Sequence, residues 1–368
     1  MATLLITALL IKTGRLDDLI LDAAAVSAVI ISPDAALDAL RNTYRDEIIE
    51  PEPESSPTPP PLNIFDYDSE PPDEEAPMEI PDAAEEFEVV PLPDIPKEYQ
   101  GELKSEDFSG YEGGPSFSWN KAWIRNYTSF TQAELLSILD TPTPITDTGT
   151  DEPQVLIYHT HATESYCPYD ADIYDTRYNW RSTDVTDNMV SVGKIITDTL
   201  RSRGIAVIHD THLHDYPSYN GSYSSSYNSI VKYLEQYPSI SVVLDVHRDA
   251  IERDNALIVK PVTEYEGEKY AQIMVISNCD DGSGLIPNWR ENLRFAAAFT
   301  DCMEQIVPSI TRPILFSHRK YNQQLSTGAL LLEFGSHANT LDEAKRSAVV
   351  VGNALADLML RAESEEID

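Results

Sequence analysis

A proline-rich acidic run divides this chain into a part that can build a core and a part that cannot. From Pro51 to Pro96 the sequence holds 13 of its 25 prolines, mixed with Glu, Asp and Ser. Fifteen acidic residues lie between Pro51 and Glu98 against one basic residue, Lys97, so this stretch alone contributes about −14 to a net charge of −36. Proline removes backbone donors, like charges repel, and no apolar periodicity offers a face to bury. The run therefore predicts a disordered, extended spacer over residues 51–98. Residues 1–50 read as a helical segment in the position of a degenerate membrane anchor. Its apolar stretches, 2–11 and 19–32, are too short or too interrupted by charge to span a bilayer, and no basic region precedes the first as in a signal peptide.

The remaining composition narrows the function. Apolar residues make up 42% of the 368-residue chain, enough for a sizeable core beyond the spacer. No stretch supplies the clustered Lys and Arg that displace counterions from a polyanion, so nucleic acid is excluded as a partner. Three cysteines, Cys167, Cys279 and Cys302, show no CxxC spacing, which argues against a disulfide framework or a cysteine-rich zinc site.

After the spacer, residues 99–150 read as an aromatic lead-in that packs on the domain following it, with a short helix in TQAELLSIL capped by Thr131. From residue 151 to 362, short apolar runs alternate with helical patterns, predicting an α/β domain with a mixed, mainly parallel sheet flanked by helices. Strands are expected at 155–161, 205–210, 240–247, 271–278 and 329–335, with a further one at 256–262. Helices are expected at 188–203, 223–236, 288–306 and 341–361, with Gly204 closing the first.

In such a sheet ligands bind outside the carboxyl ends of the strands, so the polar residues there carry the chemistry. Three strands end in them: His159, His161 and Glu164; then His247, Arg248 and Asp249; then Glu333 and His337. A catalytic zinc takes three ligands from His and Asp or Glu and keeps a fourth position for water. His161, Glu164 and His247 supply that set through an HxxE step and a neighbouring strand. Glu333, in the apolar run LLLEFG, is the candidate general base and acid, since an unpaired carboxylate in such a strand needs a reason to be there. Strand alternation puts His159 on the face of His161, where it is expected to contact substrate, and Arg248 and Asp249 are expected to bind a peptide carboxylate or to orient His247. The segment from His209 to Tyr227 gathers histidines, tyrosines and serines around a turn; its His212–His214 pair reads as structural, its tyrosines as the lining of a sugar or peptide groove.

The blocks VLIYHTHATESY, IHDTHLHDYPSYNGSY, VVLDVHRDA and YNQQLSTGALLLEFGSHANTLDEA, in that order, resemble the stage II sporulation protein P family, cell-wall hydrolases similar to zinc-dependent N-acetylmuramoyl-L-alanine amidases. The resemblance implies an amidase-like or zinc-carboxypeptidase-like fold, a Zn2+ cofactor, and cleavage of the amide between muramic acid and the L-alanine of the stem peptide in peptidoglycan. An added endopeptidase activity on the cross-links is within what it implies. It carries His161 and His247 across as zinc ligands and Glu333 as the catalytic glutamate. The amidase pattern places the carboxylate ligand near the first long helix, which makes Asp184 the alternative to Glu164; the HxxE spacing favours Glu164. It also implies an extracytoplasmic, membrane-associated protein that works in engulfment beside a glycan-cleaving hydrolase and membrane proteins of the sporulation machinery. Two other readings compete: a zinc peptidase with the same ligands, and an inactive peptidoglycan-binding scaffold.

Overall fold

The computed structural model describes residues 91–110, 114–253 and 256–365. The segment expected at 1–50 and the spacer up to residue 90 lie outside them. In chain order the strands are β1 (Gln100–Glu106), β2 (Ser116–Trp119), β3 (Ala122–Asn126), β4 (Val155–Tyr158), β5 (Ile173–Asp175), β6 (Val207–His209), β7 (Val242–Asp249), β8 (Glu252–Arg253), β9 (Leu257–Tyr265), β10 (Glu268–Ala271), β11 (Ile273–Asn278), β12 (Ile314–Ser317) and β13 (Ala329–Ser336). The helices are α1 (Gln132–Leu139), α2 (Met189–Ser202), α3 (Ser222–Gln236), α4 (Trp289–Ile306) and α5 (Leu341–Glu365). Among the described residues no helix is long and apolar enough to cross a membrane.

Eight strands form the main sheet in the order β2-β3-β12-β11-β13-β7-β4-β6. It is the mixed, mainly parallel sheet the alternating pattern predicts: only the β2/β3 and β11/β13 pairs are antiparallel. Alternation along each strand sorts residues to two covered faces. Val155, Ile157, Val242, Leu244, Val246, Leu330, Leu332 and Phe334 join the larger core, with residues of α2, α4 and α5. Leu156, Tyr158 and Val243 point the other way and pack with Ile230 of α3. Phe295, Phe299 and Phe316 are fully buried, and such a side chain stabilises the fold by about 1.5–3 kcal/mol relative to exposure.

The lead-in does more than pack on the domain. Its strands β2 and β3 extend the main sheet beyond β12, and β1 enters a second sheet of order β10-β9-β1-β5, with β8 on β9. That sheet is anchored by Lys260 of β9, whose side chain is buried and whose Nζ lies 2.6 Å from Asp170 Oδ1 and 3.0 Å from Glu343 Oε1. Glu343 also closes the N-terminus of α5: it accepts from the Thr340 amide at 3.1 Å while Thr340 Oγ1 accepts from the Glu343 amide at 3.3 Å. One carboxylate thus caps a helix and neutralises a buried lysine of the second sheet.

Candidate active site

The strands β13, β7 and β4 are adjacent and parallel, so their carboxyl ends open at one edge. Register sets Glu333 of β13 directly beside His247 of β7. Period two along β7 puts Asp245, His247 and Asp249 on the face that carries α3. Just past Glu333, Gly335 adopts φ +62°, where an added Cβ would collide with the Asn339 side chain. Only glycine allows the irregularity between Glu333 and Ser336, beyond which pairing resumes at Ser336 and Asp249.

β4 stops at Tyr158, three residues before the end expected for it, because side chains take over its partners. The His159 ring bonds the Val246 carbonyl at 2.9 Å, and the Thr160 amide donates to Asp245 Oδ1 at 2.9 Å. The chain leaves the strand, and the alternation that placed His159 beside His161 fails. With Nδ1–H donated to Val246, His159 Nε2 accepts from His209 Nε2 at 2.9 Å. Burial holds the His159 pKa down to about 4, and burial with the neighbouring His159 holds His209 down to about 3. His159 is therefore a neutral interior histidine under Gly193, not a substrate contact.

His161, Glu164 and His247 meet at the edge, all three buried. The His161 and His247 rings stand at 88° with centroids 5.3 Å apart, and His247 Nδ1 lies 3.7 Å from Glu164 Oε2. The other edge of His247 faces Asp245 as an ion pair: Nε2 lies 2.6 Å from Asp245 Oδ1, and Asp245 Oδ2 accepts from Thr160 Oγ1 at 2.7 Å. Burial opposes a charge on His247, but Asp245, with Glu164 and Glu333 nearby, outweighs it and raises its pKa to about 9. Burial and His247 lower that of His161. Burial first, then the Asp249 charge, raises the Glu333 carboxyl to about 8.

Among the described residues no three His, Cys, Asp or Glu side chains are drawn into a ready-made metal cluster. The donors nevertheless suit zinc. His161 Nδ1 and Glu333 Oε2 are buried, and no hydrogen bond from the described residues reaches either atom. A buried polar atom without a partner costs about 1–3 kcal/mol, so these two atoms are held ready for something. The separation of His247 Nδ1 from Glu164 Oε2 is close to that of two donors each about 2.0–2.2 Å from one ion. Asp184 is elsewhere: it is exposed, and its Oδ1 accepts from the Thr186 amide and hydroxyl.

The remaining expected residues face other tasks. Arg248 points away from the cleft and bonds the carbonyls of Ser165 and Trp180 at 3.0 and 2.8 Å, while its amide donates to Glu164 Oε2 at 3.3 Å. It braces the loop that carries Glu164 rather than a substrate carboxylate. Asp249 pairs with Arg312 at 2.9 Å. His214 is tied to Asp210 and Ser225, the structural role expected of it. Sequence reading missed Asp245, although DVH at period two was its signal. It missed Asp215 as well, which sits 3.9 Å from His161 Nδ1 and binds Thr163 and Arg181. Asp215 comes from a distant loop, and no local pattern marks it.

The model of the family "Stage II sporulation protein P (SpoIIP)" matches residues 75–356. The chain belongs to that family. It is 28% identical over 232 residues to stage II sporulation protein P of Bacillus subtilis (strain 168), a match covering 60% of this chain and 54% of that protein. The family member described here thus spans about half the length of that relative. Among solved structures it is similar to N-acetylmuramoyl-L-alanine amidase AmiC2 of Nostoc punctiforme, at 13% identity and a TM-score of 0.35, over 58% of this chain and 97% of that one. The CwlD amidase from Clostridioides difficile, solved in complex with the GerS lipoprotein, matches at 10% identity and a TM-score of 0.35, over 58% of this chain and 100% of that one.

Proposed function

We propose that this family member is a zinc-dependent peptidoglycan hydrolase of sporulation, cleaving the amide between N-acetylmuramic acid and the L-alanine of the stem peptide outside the cytoplasm. One observation carries the reading: the Glu333 carboxylate, one oxygen of it without a partner, stands in register beside His247 at an edge where His161 and Glu164 converge. His161, Glu164 and His247 would hold the metal. When bound there, zinc supplies Lewis acidity and lowers the pKa of a water towards about 7.

The chain's own groups do the rest. Asp245 holds His247 through Nε2 and leaves Nδ1 facing the cleft, the second layer of support that metal-binding histidines need. Arg248 fixes Glu164 through its backbone amide. Glu333 takes a proton from the attacking water and delivers it to the leaving nitrogen of L-alanine. The partners this reading brings are peptidoglycan, a glycan-cleaving hydrolase and membrane proteins of the sporulation machinery.

The test is digestion of purified peptidoglycan by the full chain with zinc, beside Glu333→Gln and His247→Ala, with products resolved by mass spectrometry. Stem peptides with a free L-alanine amino terminus are expected from the wild type. Glu333→Gln should lose at least about 100-fold in rate while still binding zinc. Release of single terminal residues instead would replace the amidase with a peptidase, and an intact wall with zinc bound would leave a scaffold.

A further inference from the structure

Beside His161 a cavity of about 330 Å³ is lined by His161, Tyr219, Tyr223 and the first residues of α3. Its rim gathers His161, Tyr219 and Arg181. Tyr219 lies parallel to the His161 ring, centroids 4.6 Å apart at 9°, and the Arg181 guanidinium also lies over the Tyr219 ring, 4.8 Å from its centroid. Tyr219 is 54% exposed and the Arg181 side chain 35% exposed, so both are open to solvent beside the buried imidazole.

One end of the guanidinium is fixed and the other is not. Arg181 Nη1 donates to Asp215 Oδ2 at 2.7 Å and to Thr163 Oγ1 at 3.0 Å, and the Asp215 side chain is fully buried. A backbone bridge to Glu164 holds the arginine's main chain against the HxxE loop. Nη2 makes only a 3.8 Å approach to Glu164 Oε1. The other cations at this edge are committed: Arg248 to backbone carbonyls within the fold, Arg312 to Asp249. Glu164, Asp215, Asp245, Asp249 and Glu333 surround the site in a chain of net charge −36, and an anionic substrate needs a cation there.

We infer that Arg181, seated over Tyr219 and held by Asp215, is the receptor for a carboxylate of the stem peptide, the one borne by the residue following the amide-bearing alanine. This rests on the amidase reading. With the L-alanine amide at His161, the next residue of an extended peptide lies about 3.3–3.6 Å further on, and Arg181 stands within reach of its α-carboxylate, that of a γ-linked D-glutamate: Arg181 Nη1 and His161 Nδ1 lie 2.7 and 3.9 Å from the same oxygen, Asp215 Oδ2. A planar guanidinium receives a carboxylate on two parallel N–H donors, which a carboxamide cannot match.

The test uses the full chain with zinc and two synthetic substrates, muramoyl-L-alanyl-γ-D-glutamate with a free α-carboxylate and its α-carboxamide. The wild type should favour the carboxylate about tenfold or more in kcat/KM. Arg181→Gln should erase that preference by slowing the carboxylate substrate about tenfold more than the carboxamide, and Arg181→Lys, which keeps the charge beside Asp215, should restore it in part. Equal losses on both substrates in Arg181→Gln, fully repaired by Arg181→Lys, would reduce Arg181 to a brace for Asp215 and overturn the inference. Calorimetric titration of the Glu333→Gln chain with the same two peptides separates this from the amidase reading. Tighter binding of the carboxylate, lost in Glu333→Gln/Arg181→Gln, upholds the receptor even where the wild type cuts neither peptide; equal binding of both refutes it.

Discussion

At the scale of single residues, the site depends on side chains whose work is to hold others still. Asp245 touches no substrate, yet it sets which nitrogen of His247 faces Glu164. Asp245→Asn keeps the shape and can turn a donor toward His247, so zinc affinity and hydrolysis should each fall about 10–100-fold, read by competition with a chromogenic chelator and by release of stem peptides. Gly193 plays a steric part. It lies in α2, where alanine forms helix better by about 0.8–1 kcal/mol. An added Cβ there would come within 2.5 Å of His159 Nε2 and 2.7 Å of His209 Nε2. His159 is fully buried and cannot step aside, so Gly193→Ala should cost about 1–3 kcal/mol net, measured by denaturant unfolding. A stabilised protein would mean that the histidine pair is not held against α2.

Elements differ in how much of them the sequence discloses. The strands β4, β7 and β13 were legible because three or four consecutive apolar residues precede their polar ends, and the helices α2 to α5 because their apolar residues recur at helical spacing. Thr131 capped α1 as expected, accepting from the Glu134 amide while Glu134 reaches back. The second sheet was not legible. β1, QGELKSE, buries only Gly101 and Leu103, and β5 is three residues long, so neither has a pattern of its own and both exist through partners far away in sequence. The four residues that meet at the edge, His161, Glu164, His247 and Glu333, were readable from apolar runs that end in polar residues, whereas His159 was misplaced because β4 stops early. Lys260 lay inside an expected strand, and its pairing with α5 was invisible. That pairing should be decisive: Lys260→Met leaves Glu343 charged and buried, at a cost of about 3–5 kcal/mol. Adding Glu343→Gln, which removes the stranded charge and keeps an acceptor for Thr340, should recover much of it in urea unfolding.

Over the whole molecule, buried ionisable groups of both kinds shape the response to pH, and their signs can be worked out for the metal-free protein. Glu333 and His247 have folded pKa values raised to about 8 and about 9, from 4.5 and 6.5. The folded state then binds more protons than the unfolded one, so their stabilising contributions are complete below 4.5 and 6.5 and are lost as pH rises through 8 and 9. His159, His209 and His337 run the other way. Burial is the leading cause in each, and their pKa values fall from 6.5 to about 4, about 3 and about 4. Their contributions are present above 6.5 and are lost as pH falls toward 4. Between 6.5 and 4.5 three histidines destabilise while Glu333 alone still gains, and each group changes stability by about 1.4 kcal/mol per pH unit, so the loss wins. Calorimetric melting in chelator should therefore peak near pH 6.5 and decline on both sides. Glu333→Gln should flatten the alkaline limb, and His209→Gln the acid limb. A melting temperature that stays level or climbs from pH 6.5 to 4.5 would mean these histidines take up protons within the fold, and the neutral interior pair at the base of the site would have to be abandoned.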